Sequence, residues 1–220
     1  MILYIDIETI PSYSEDVAAY IAKTIVPPGT LSKAESIAKW HLESKADAVA
    51  DAVAKTGLDG AFGSVVCIGY QMDDAPANVI YGLNEFQLLK EFNEVLQYVP
   101  HDEWFTTVVV GHNVCNFDLR FLLQRHMVND IQPHIIIHRA AAAKPWETAK
   151  VYDTMVQWSG LQKGIKLDRL AFALGVPGKG DIDGSMVAGM VKDGRLEEVA
   201  DYCRTDVEMT RLVHRRMTWK

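Results

Sequence analysis

Cysteine is scarce in this chain: Cys67, Cys115 and Cys203 are widely spaced, odd in number and form no CxxC pair. That argues against a disulfide framework or a zinc knuckle and makes a reducing compartment the default. No apolar run approaches the ~18–20 residues that cross a bilayer. The opening residues, MILYID, show no basic leader before the carboxylate of Asp6. The expectation is a soluble, intracellular and cytoplasmic protein with no membrane partner. Positive charge is short as well. The 220 residues hold 22 Lys and Arg against 29 Asp and Glu, a formal charge of −7. This argues against a simple basic module that grips nucleic acid by bulk charge. The deficit is uneven, with 6 basic and 16 acidic residues in 1–110 but 16 and 13 in 111–220. There is no internal repeat, and no low-complexity tract beyond the alanines at 140–143.

What is present supports a folded core. At 49% hydrophobic and 9% aromatic residues, the chain is too apolar for wholesale disorder and has the length of one domain, 1–220. Residues 2–8 (ILYIDIE) are short and β-branched, the pattern of a strand at a sheet centre. Residues 12–58 change character: they are Ala-rich and interrupted by Pro27-Pro28-Gly29. Ser32-x-x-Glu35 reads as a capping box opening a helix to about Lys55, so the segment is expected to be a helical insertion. Residues 64–70 and 77–82 read as an antiparallel pair turned by Asp73-Asp74-Ala75-Pro76. Asn84 caps a helix with an apolar stripe from Phe86 to Val99. Further strands are expected at 106–111, 134–138 and 149–153, and helices at 116–127, 166–174, 183–192 and 194–217. The sum predicts an α/β fold: a mixed sheet with helices on both faces.

Four carboxylates stand where such a fold projects side chains toward one place. Asp6 and Glu8 are two apart on a strand and so share a face. An isolated Asp-x-Glu is more often a solvated strand end. Asp118, in GHNVCNFDLRFL (111–122), follows the carboxyl end of a strand, where open α/β sheets build their sites. The bland alternative is an acid complementing a helix dipole, worth ~0.3–1 kcal/mol. Tyr202 and Asp206 lie four apart on a helix and share a face, yet a lone Tyr-x-x-x-Asp is usually structural. Each signal alone is weak.

Their order and spacing together resemble the DEDD superfamily of 3′–5′ exonucleases, and the tyrosine resembles its DEDDy (DnaQ-like) branch. The resemblance extends to the proofreading exonuclease domain of family-B DNA polymerases and covers residues 1–10 and about 62–212. It implies a ribonuclease H-like fold, in which residues 12–58 are an insertion. It further implies Asp6, Glu8, Asp118 and Asp206 as ligands of two divalent ions, Mg²⁺ or Mn²⁺, directly or through water. Tyr202 then orients the attacking water. Hard oxygen ligands suit those cations, and four converging carboxylates need a counter-charge. The implied reaction releases nucleoside 5′-monophosphates from a single-stranded 3′ end, with DNA favoured over RNA. A replication or repair protein acting in trans is a candidate partner. The rivals are an exoribonuclease and a non-catalytic nucleic-acid-binding protein with the same fold.

Lesser candidates accompany these. Thr9, Asn113 and Phe117 match the motifs as substrate-binding residues, although Phe117 reads more readily as core. Asp153 reads as a cap or a support for the site. His112, His126 and His214 read as structural or solvent-facing, and Cys115 and Cys203 lack a specified histidine partner for nucleophilic chemistry. Lys163, Lys166, Arg169, Lys179, Arg195 and Arg204 are candidate phosphate contacts.

Overall fold

The computed structural model describes residues 1–160, 162, 164–178 and 182–220. Among the described residues, five strands form one sheet: β1 (Ile2–Ile10), β2 (Ser64–Met72), β3 (Asn78–Tyr81), β4 (Val108–Gly111) and β5 (Val151–Asp153), in the order β3-β2-β1-β4-β5. β1 pairs antiparallel with β2 and parallel with β4; β2–β3 is antiparallel and β4–β5 parallel. β1 is therefore central, as its run of isoleucines implied. This is the mixed, ribonuclease H-like sheet expected from the motifs.

Strand alternation divides β1 between two layers. Leu3, Ile5 and Ile7 pack into the larger core with α4 (Glu85–Gln97), α5 (Asp118–Val128) and α6 (Ile135–Ala141). Phe92, Leu89, Leu122 and Ile137 are buried there; each such side chain contributes ~1.5–3 kcal/mol through loss of contact with water. The opposite face carries Tyr4, Asp6, Glu8 and Ile10. It is covered by α10 (Leu196–Met217), with α9 (Val187–Lys192) against the far end of β1. The shorter helices α7 (Thr154–Ser159) and α8 (Leu167–Ala173) lie beside the later turns of α10.

Two expectations fail. Residues 134–138 form no strand. His134 caps α6 by accepting the Ile136 N–H, and Ile136, Ile137, Ala140 and Ala141 are buried on one side. That i, i+1, i+4, i+5 pattern is helical, and the packing of this face outweighs the weak β preference of three isoleucines. The insertion is also more broken than predicted. It holds α1 (Glu15–Thr24), α2 (Ala34–Glu43) and α3 (Lys45–Ala54), followed by a 3-10 turn at Lys55–Leu58. The N-cap of α2 is Lys33 with no side-chain cap bond, so Ser32 does not form the expected capping box, and the chain breaks at Ser44. Elsewhere Asn84 accepts the Gln87 N–H, as its capping position required.

Candidate active site

The site begins where β1 and β4 part company. The parallel ladder pairs Ile2–Tyr4 with Val108–Val110 and goes no further. Beyond it, the Ile7 N–H donates to Asp118 Oδ1 at 3.0 Å. The first residue of α5 thus takes over a donor that the strand would otherwise leave unsatisfied. Asp118 is buried there, beside the carboxyl end of the sheet, as the turn through residues 112–117 predicted.

On the other face Asp6 and Glu8 point toward α10, which presents Tyr202 and Asp206 one turn apart. Ligand oxygens of Asp6, Glu8 and Asp206 lie within 4.8 Å of one another. Glu8, Asp206 and Tyr202 are buried, while Asp6 is partly open. The structure therefore brings three of the four carboxylates into one cluster. Asp118 stands beside that cluster, with its Oδ1 committed to the backbone of β1.

The electrostatics record the crowding. Burial, then the charges of Asp118, Glu8 and Asp206, hold the Asp6 carboxyl well above the usual range. Asp118 is raised to about 7, chiefly by burial. Bonds from its own N–H and that of Ile7 oppose the rise, while Asp153 and Asp206 add to it. Burial and then the Asp206, Glu8 and Asp6 charges push the Tyr202 phenol far up, and its hydrogen bond with Asp206 acts in the same direction. Tyr202 is thus a neutral hydroxyl against a carboxylate surface. Three hard oxygen donors within this distance, destabilised by one another, fit a divalent cation such as Mg²⁺ or Mn²⁺.

α10 can approach this closely because β2 presents a glycine to it. Gly69 in β2 faces Cys203 and Val207, and the Cys203 thiol donates to the Asp6 carbonyl at 3.5 Å. A glycine inside the strand SVVCIGY was the available sequence signal of close approach, and the motif reading passed over it. Burial, reinforced by Cys67, raises the Cys203 thiol, so it packs as a neutral group and is no nucleophile.

The second-motif turn rests on Asp153. Its Oδ1 accepts the N–H groups of Asn113, Met155 and Val156, and its Oδ2 accepts that of Cys115. It caps α7 and braces the loop carrying Asp118, so both roles considered for it hold. Asn113 adopts a left-handed backbone, φ 62°, a conformation Asn tolerates better than most residues. Its side chain accepts from Asn116. Phe117 packs against the larger core and the Phe121 ring, which makes it a core residue first. The Thr9 hydroxyl donates to the Gly57 carbonyl at 2.6 Å. With the Ser12 N–H bond to Thr56, it ties the insertion to the end of β1.

The histidines lie outside the cluster. His112 bonds Thr154 and the Ile165 carbonyl, His126 bonds the Leu122 carbonyl, and His214 bonds Tyr4. Of the candidate phosphate contacts, Lys166, Arg195 and Arg204 are paired with Asp183, Glu198 and Asp201. Lys163 and Lys179 lie outside the described residues. Among the described residues no helix is long and apolar enough to cross a membrane.

A family model described as a predicted 3′–5′ exonuclease related to the exonuclease domain of PolB matches residues 39–219. The match begins after β1, so it does not include Asp6 and Glu8. Among solved structures, the chain is similar to the family B DNA polymerase from the hyperthermophilic archaeon Pyrobaculum calidifontis. The two share 18% identity and a TM-score of 0.59 over 97% of this chain and 24% of the polymerase chain. At that identity the likeness is one of fold, and the chain spans about a quarter of the polymerase's length. A search of curated proteins gave no match.

Proposed function

The chain belongs to a family of predicted 3′–5′ exonucleases related to the exonuclease domain of PolB, and from that premise we propose that it is a DEDDy-type, metal-dependent 3′–5′ exonuclease acting on single-stranded DNA. The observation that carries this reading is the clustering of Asp6, Glu8 and Asp206 within 4.8 Å, with Tyr202 one turn from Asp206.

In this reading Asp6, Glu8 and Asp206 would hold divalent cations, with Asp118 contributing from beside them. Those cations would supply Lewis acidity to a water and charge stabilisation to a leaving oxygen. The chain's own residues do the rest. Tyr202 holds the attacking water in line by hydrogen bonding, and Asp206 fixes the direction of its hydroxyl. Water oxygen bonds to phosphorus as the bond to the 3′ oxygen breaks. The proton returns to that oxygen, leaving a shortened 3′-hydroxyl end and a nucleoside 5′-monophosphate. Asp153 keeps the Asn113 turn, and hence Asp118, at the carboxyl end of β1.

A complete carboxylate set favours turnover over a purely binding role. The replication or repair role in trans belongs to the same proposal. Degradation of 3′-labelled and 5′-labelled single-stranded DNA and RNA, in Mg²⁺, Mn²⁺ or EDTA, tests the reading. The expected result is stepwise loss from the 3′ end of DNA that stops in EDTA. Loss from the 5′ end, or undiminished loss in EDTA, would overturn it.

A further inference from the structure

A second feature of α10 lies far from the carboxylates. Its last turn, together with residues of α7 and the end of α8, borders a groove of about 900 Å³. The wall presents Arg215, Arg216 and Lys220 with the rings of Tyr152, Trp158 and Trp219, and among the described residues none that lines it is acidic. In a chain with 29 acids and 22 bases, three cations along one wall reverse the prevailing charge. Arg215 is shared with Asp74, whereas Arg216 and Lys220 form no ion pair with a described residue.

Cations at a helix C-terminus complement its dipole, which accounts for part of this charge but not for the tryptophans. Trp158 is 48% exposed and Trp219 is 93% exposed. Trp219 also has a φ of 55°. The Lys220 N–H returns to the Arg215 carbonyl and that of Thr218 to His214, so Trp219 occupies the left-handed closing position of the helix. Glycine is the ordinary residue there, and a bulky side chain is strained. The backbone accepts that strain while an indole stands in water at the rim of a cationic groove.

We propose that this groove is a second, non-hydrolytic site for single-stranded nucleic acid, in which bases stack on Trp158 and Trp219 and phosphates meet Arg216, Lys220 and part of Arg215. Aromatic platforms interleaved with cations are the chemistry that holds unpaired strands without reading their sequence. Paired bases offer no free face to such platforms, so duplex binds less well. Arg215 follows Asp206 by nine positions on α10, about 14 Å at ~1.5 Å per residue. A strand reaching both sites therefore needs more than about four nucleotides at ~3.4 Å each. Only that shared occupancy rests on the nuclease reading; binding in the groove does not.

Fluorescence anisotropy with a 5′-labelled oligothymidylate of roughly 15 nucleotides, in EDTA so that nothing is cut, separates binding from hydrolysis. Trp219→Ala and Arg216→Ala should each weaken binding about tenfold. The quenching of tryptophan emission on binding should shrink in Trp219→Ala, while the rate on a trinucleotide, too short to span, stays unchanged. Unchanged affinity in both variants, no binding by the wild type, or competition by polyglutamate as effective as by oligothymidylate would overturn the proposal. A wild type that binds with these losses but hydrolyses nothing overturns the nuclease reading alone. Hydrolysis with unaltered affinities overturns the groove alone.

Discussion

Gly69 in β2 pairs directly with Asp6 in β1, and α10 packs directly over it through Cys203 and Val207. A methyl group there would lie 2.8 Å from Val207 Cγ2 and 2.9 Å from Cys203 Sγ, with the Cys203 carbonyl at 3.1 Å. Backbone cannot yield as a flexible side chain does. Gly69→Ala should push α10 outward, separating Asp206 from Asp6 and Glu8. We expect a loss of about 1–3 kcal/mol in urea unfolding together with a fall in nuclease rate. A variant of full stability and full rate would show that the approach of α10 does not set the site.

Asp153 satisfies four backbone N–H groups from within the protein. Asp153→Ala leaves several of these part-buried donors without an acceptor, at a cost of about 3 kcal/mol. Asp153→Asn keeps an acceptor oxygen and should recover part of this. Chemical denaturation of the two variants checks the order, and equal midpoints would remove the bracing role.

Tyr202→Phe removes the hydroxyl while keeping the ring that packs beside Ile10 and Val66. Turnover should fall about 10–100-fold, with the KM for the strand and the affinity for Mn²⁺ little changed. A rate equal to wild type across the pH range would take the tyrosine out of the reaction.

His214 tests stability away from the site. Burial, helped by the Lys220 charge, depresses its imidazole to about 4 while Nδ1 bonds the Tyr4 hydroxyl. Unfolded, it titrates near ~6.5, so below that pH the unfolded chain takes up the proton more readily. The contribution is complete above about 6.5 and is lost as pH falls toward 4, by up to about 3 kcal/mol. His214→Gln should flatten this part of the stability profile. His126 and His134, also depressed by burial, would leave a residual slope. Identical acid profiles for variant and wild type would contradict the assignment.

The parts legible in the sequence were those with a local geometric rule. Asp6 and Glu8 share a face because strands alternate, and Tyr202 and Asp206 share one because helices repeat at four. Asn84 showed its capping role by side-chain chemistry. What escaped depends on partners distant in sequence. Thr9 has its hydroxyl turned to Gly57, 48 residues away, and nothing local announces that. Ile135–Ile137 read as strand until Ala140 and Ala141 are counted on the same face. The charge deficit, read from bulk totals, concealed a carboxylate cluster midway along α10 and a cationic groove at its C-terminal end.

The most direct test of the carboxylate site is Asp6→Asn, followed by mononucleotide release from single-stranded DNA in saturating Mn²⁺ and by thermal unfolding in EDTA. Burial and three neighbouring carboxylates oppose the Asp6 charge, so the neutral amide should match or exceed wild-type stability. The rate should fall about 10³-fold or more. A variant that keeps the wild-type rate, free of contaminating nuclease, would contradict the account.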